Sequence, residues 1–84
     1  MKILIVDDEP EIREIIRIWC EDEGHTVYDA GDGREGLKVQ RKTPVDVLIC
    51  DLIMQVQEGI ETITLFSQEF PSVGIIAISG GGKI

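Results

Sequence analysis

The sequence has no cluster of lysine or arginine, and its 8 basic residues face 16 acidic ones, for a net charge of -8. A nucleic-acid backbone or an anionic membrane surface needs a positive patch, so neither is expected as a direct partner of this segment. A basic protein or a bound cation suits the charge better. No apolar run reaches the roughly 18 residues of a membrane span. No signal peptide precedes the strand-like opening KILIVDDE, so a cytoplasmic protein is expected. The two cysteines, Cys20 and Cys50, form no CxxC pair and read as packed thiols rather than a redox or metal motif. The one histidine, His25, opens a strand-like segment and is expected at the surface or a strand edge. The tail GGGKI lacks the earlier glycine, and the Ser or Thr after lysine, of a phosphate-binding loop.

What is present describes a folded domain. Hydrophobic residues make up 43% of the 84 and charged residues 29%, outside the disordered range. One domain is the ceiling at this length, and such a chain buries only about 60% of its unfolded surface. Lys2–Val6 is a short apolar run stopped by Asp7-Asp8-Glu9 and reads as a buried strand. Pro10 suits a first helical turn, Ile12, Ile15, Ile16 and Trp19 give an inward stripe at helical spacing, and Gly24 ends the helix. Trp19 is expected in the core or at its edge.

His25–Ala30 reads as a second strand. Asp32 caps the next helix, with Glu35 completing a capping box, while Gly36 weakens that helix and Pro44 stops it. Val45–Cys50 is almost wholly apolar, as in parallel sheets buried on both faces. Gly59–Phe70 is a helix with Ile60, Ile63, Phe66 and Phe70 inward, and Val73–Ile78 is a fourth strand. The alternation predicts an α/β fold with right-handed crossovers and an open parallel sheet. The chain stops where another βα loop begins, so a chain cut short at its C-terminal end is expected.

Strand one ends at Asp7-Asp8, strand three at Asp51 and strand four at Ser79. Ligands of open α/β sheets bind at the carboxyl ends of strands, where strand order switches. If strand one lies between two and three, these residues share one crevice. Singly, each has an ordinary reading: an acidic pair complements a helix N-terminus, and a serine before glycines is a turn residue. Jointly, the carboxylates repel one another, and a hard divalent cation such as Mg²⁺ relieves them. Asp8, Asp51 and the Ile53 carbonyl are placed to ligate it, with Asp7 better suited to a metal-bound water. An aspartate beside such a metal can act as nucleophile toward a phosphoryl group, with Ser79 bonding a phosphoryl oxygen.

ILIVDDEPEIREIIR, VDVLICDLIM with Met54 and Gly59, and VGIIAIS resemble the receiver (response-regulator) domain family over almost the whole chain. The resemblance implies a CheY-like, flavodoxin-like sheet of order 2-1-3-4. Residues 1–84 would be a partial receiver, with the fifth strand and last helices missing. It also implies an Mg²⁺-dependent phosphoacceptor at Asp51, with Asp7, Asp8 and the Ile53 carbonyl at the metal and Ser79 as phosphoryl contact and switch. The donor would be a histidine kinase or histidine phosphotransfer protein. Ile18, off the inward stripe, is placed by fold analogy in that partner contact.

Two departures from the family pattern stand out. Gln55 replaces the usual proline after Met54, which removes no ligand. The fifth-strand lysine is missing, and Lys83, four residues after Ser79, does not replace it. Slow or absent phosphorylation is therefore expected, and the alternative reading is a receiver-like interaction module without phosphotransfer. A hydrolase of free phosphate esters would need an acid or base that the sequence does not display. The fourth strand would leave an exposed edge, through which self-association is expected.

Overall fold

The computed structural model describes residues 1–52 and 56–78. Along the chain run β1 (Lys2–Val6), α1 (Pro10–Asp22), β2 (Thr26–Ala30), α2 (Gly33–Lys42), β3 (Val47–Asp51), α3 (Val56–Glu69) and β4 (Gly74–Ile78). The strands form one sheet in the order β2-β1-β3-β4, and every neighbouring pair is parallel. This is the 2-1-3-4 order expected from the sequence.

Local chemistry sets the helix boundaries. Pro10 stands at the start of α1, where its missing N–H costs nothing. Gly24 ends the helix at φ 89°, a conformation that suits a residue without Cβ. Its N–H donates to the Glu21 carbonyl at 2.9 Å, and the His25 N–H reaches back to the Cys20 carbonyl at 3.1 Å. That pair of bonds is a Schellman termination. For α2, Asp32 Oδ1 accepts the Glu35 N–H at 2.8 Å, while the Glu35 carboxylate lies 4.0 Å from Lys38. Arg41 and Lys42 in its last turn complement the carbonyl end of the helix.

The alternation of β1 divides the core in two. Leu4 and Val6 pack with Ala30, Leu48, Cys50, Phe66 and Val73, and Leu37, Val39, Ile63 and Phe70 of the helical side close over them. Ile3, Ile5 and Val27 form the other cluster, against Ile16 and Cys20 of α1. Gly36, which weakens α2 in isolation, lets it approach the sheet: a Cβ there would come 2.9 Å from Val6 Cγ2. Cys50 is buried and Cys20 half-buried, and neither is in a disulfide.

The inward stripes need correction. Trp19 is 66% exposed and Ile15 44%, so neither belongs to the core. The apolar residues of α1 that are half-buried are Ile12, Ile16 and Cys20, and Arg13 and Arg17 beside them are half-buried as well. Ile15 and Trp19 instead line an open apolar concavity of about 480 Å³ with Ile49, Ile76 and Ile78. Ile60 of α3 is likewise 53% exposed. The buried face of α3 runs through Gly59, Thr62 and Phe66, one position away from the expected start.

Strand three begins at Val47 rather than Val45. The Val45 N–H donates to Gln40 Oε1 at 2.9 Å, and Asp46 Oδ2 accepts the Lys2 N–H at 2.7 Å, so these two residues form a corner before the ladder. Strand two starts at Thr26, strand four at Gly74, and α3 runs from Val56 to Glu69.

Candidate functional site

Val6 of β1 stands opposite Cys50 of β3, so the chain delivers Asp7 and Asp51 side by side at the carboxyl edge of the sheet. Asp8 follows on the exposed side. Each of the three carboxylates offers an oxygen, and these oxygens lie within 4.8 Å of one another. Asp51 is 3% exposed, Asp7 is fully buried and Asp8 is open to solvent.

Asp7 is held from several directions. Its N–H donates to the Ala30 carbonyl at 3.1 Å, its carbonyl accepts from Arg13 Nη1 at 2.6 Å, and its Oδ1 accepts the Glu9 N–H at 2.8 Å. Oδ2 is left buried with no hydrogen-bond partner. An unsatisfied buried carboxylate oxygen is costly unless something positive meets it. Burial foremost pushes the Asp7 carboxyl up to about 6; the Glu9 N–H opposes the rise, and the nearby negative charges of Asp51 and Asp8 add to it. The donor set is all oxygen and clustered, which fits a hard divalent cation and disfavours a soft one. The cluster can therefore coordinate a divalent metal.

Two neighbours shape the floor of this crevice. The Leu52 N–H donates to the Ile78 carbonyl at 2.8 Å, tying the chain beyond Asp51 to the end of β4. Gly59 lets α3 come close: a Cβ there would meet the Asp51 carbonyl oxygen and Leu52 Cα, each at 3.1 Å. Of the residues singled out in the sequence, the structure brings Asp7, Asp8 and Asp51 together; Ile53 and Ser79 lie outside the described residues. His25 lies away from this crevice, its Nδ1 3.2 Å from the terminal amine of Met1. Arg13 was not legible from motif spacing. Its contact is to a backbone carbonyl, and the only sequence trace is the i,i+4 pair Arg13 and Arg17 on α1 with an acid, Asp29, on β2.

An open parallel α/β sheet with a cation-ready acidic crevice at its switch point defines a doubly wound ligand-binding domain. The profile of the family described as "Response regulator receiver domain" matches residues 3–84. The chain belongs to the response regulator receiver family. It is similar to the response regulator GtcR of Aneurinibacillus migulanus, 37% identical over 68 residues, covering 81% of this chain and 28% of that protein. It is also similar to the transcriptional regulatory protein GlrR of Escherichia coli, 30% identical, covering 98% of this chain and 18% of that protein. The chain thus spans less than a third of the length of either relative.

Solved structures agree on the fold. The chemotaxis protein CheY4 of Vibrio cholerae superposes with a TM-score of 0.83 at 33% identity, covering 90% of this chain and 65% of that one. NtrX of Brucella abortus, crystallised with ADP, superposes with a TM-score of 0.88 at 28% identity, covering 99% of this chain and 18% of that one.

Proposed function

We propose that the chain is a phosphoryl acceptor of two-component signalling, with Asp51 as nucleophile. The observation that carries the reading is the triad of carboxylate oxygens within 4.8 Å, one of them, Asp7 Oδ2, buried without a donor. Asp7, Asp8, Asp51 and the backbone carbonyl of Ile53 would hold Mg²⁺. When bound, the ion neutralises charge on the phosphoryl oxygens during transfer. An Asp51 carboxylate oxygen attacks phosphorus, the P–N bond of a phosphohistidine breaks, and the imidazole nitrogen leaves with the electron pair. The donor is a histidine kinase or a histidine phosphotransfer protein. Ser79 follows Ile78, the residue in register with Asp51, and its hydroxyl would donate to a phosphoryl oxygen.

The cytoplasm is the setting we assign, in keeping with two cysteines outside any disulfide. No described helix is long and apolar enough to cross a membrane. Self-association is a second expectation. Among the described residues β4 pairs only with β3, and its Ile76 is 50% exposed, so a second copy would bury apolar surface along that edge.

The test is intact mass after incubation with Mg²⁺ and acetyl phosphate, on this chain and on Asp51→Asn. A phosphate-sized gain that the variant loses supports the acceptor. A gain that the variant keeps overturns Asp51 as the acceptor, and no gain from two folded proteins, in keeping with the slow or absent transfer expected above, favours a receiver-like interaction module with no effective phosphotransfer in this chain.

A further inference from the structure

The guanidinium of Arg13 joins three parts of the fold at one point. It is carried by α1, its Nη1 donates to the Asp7 carbonyl at 2.6 Å, and its Nε lies 3.6 Å from Asp29 Oδ2 on β2. The Nε is buried and has no hydrogen-bond partner, so the Asp29 carboxylate is the charge that compensates it there. We propose that Arg13 is a positioning residue for the divalent cation, setting the backbone at Asp7 so that the Asp7 and Asp8 carboxylates face Asp51. The inference rests on the metal-site reading given above.

The charge pattern makes sense of the arrangement. A bare cation so close to the acidic crevice would repel a metal ion. Asp29 offsets part of that charge, so the arginine fixes geometry while opposing the ion less than a bare cation would. Lysine cannot do the same, because a single ammonium lacks the planar fork that meets a carbonyl and a carboxylate at once. Arg17 supplies an internal control. It also pairs with Asp29, at 3.3 Å, but its other partners are the Val27 carbonyl and Glu21, neither of which belongs to the acidic loop.

The experiment is Mg²⁺ titration by calorimetry at a temperature where every variant is folded by circular dichroism, alongside thermal unfolding without metal. Outer partners that orient metal ligands typically change affinity by about 10- to 100-fold. Arg13→Ala is expected to weaken Mg²⁺ binding roughly 10-fold, and Arg13→Lys to recover only part of the loss. Arg17→Gln is expected to lower the melting temperature and leave affinity within about twofold, since it leaves the Asp7 backbone untouched. Equal Mg²⁺ affinity in wild type and Arg13→Ala overturns the inference, as does a loss shared by Arg17→Gln in step with stability. If Arg13→Ala does not fold, Arg13→Lys decides: affinity equal to wild type overturns the inference, and a several-fold loss absent from Arg17→Gln supports it. A wild-type chain that takes no Mg²⁺ overturns the metal-site reading itself, and this inference with it.

Discussion

The two faces of the sheet are built from similar aliphatic residues and end in different states. On one face α2 and α3 together bury Leu4, Val6, Leu48, Cys50 and Phe66 completely. On the other, α1 covers Ile3, Ile5 and Val27 but leaves Ile49, Ile76 and Ile78 at the wall of an open apolar concavity beside Trp19. Hydrophobic composition alone therefore does not decide burial. Among the described residues two helices lie on one side and one on the other, which decides it, and the energetic weight of a side chain follows its cover.

The largest test of that contrast is Phe66→Ala on the doubly covered face. Truncating a fully buried phenylalanine costs about 3–5 kcal/mol, so denaturant unfolding should show a much lower midpoint or no folded baseline. Next comes the acidic edge. Asp7 has an ordinary pKa near 3.8 and is pushed up to about 6 in the fold, so between those values the folded chain binds more protons than the unfolded one. Its contribution to stability is therefore full below pH 4 and declines as pH rises through 6, by at most about 3 kcal/mol. Asp7→Asn should flatten that part of the melting-temperature profile and raise metal-free stability at pH 7. Mg²⁺ should stabilise the wild type at pH 7 and the variant far less.

A smaller effect is expected at Gly36. Adding a methyl where α2 touches Val6 overpacks the covered face, at about 1–3 kcal/mol, although alanine favours the helix by up to about 1 kcal/mol. A net loss in chemical denaturation is expected, and a gain would mean that α2 can slide outward. The smallest effect belongs to Trp19→Ser on the open face. An exposed side chain usually changes stability by within about 0.5 kcal/mol, so thermal unfolding should barely move. A drop comparable to that of Phe66→Ala would mean that the indole is covered in solution, and sedimentation would then show whether a second copy covers it.

Much of this was legible because it is local or periodic. Gly24, Asp32 and Pro10 mark helix ends through backbone chemistry that needs no tertiary contact, and the strand–helix alternation fixes a parallel sheet. Asp7, Asp8 and Asp51 were legible because strand ends in such a sheet share an edge. The stripes of α1 and α3 were read too wide because helical spacing gives the phase of an apolar face but not the width of its partner. Trp19 and Ile15 fit the spacing and still face no covering element among the described residues. Arg13 escaped because a side chain that holds a carbonyl leaves no pattern among side chains.

The bond from the Leu52 N–H to the Ile78 carbonyl has a use as a gauge. That amide sits one residue past the proposed acceptor, yet its partner is the last residue of β4. Its deuterium uptake reports the free energy of freeing the end of that strand, wherever this opening costs less than unfolding the sheet. Slower exchange at this one amide after metal or phosphoryl binding would give the free energy by which the ligand holds that closure.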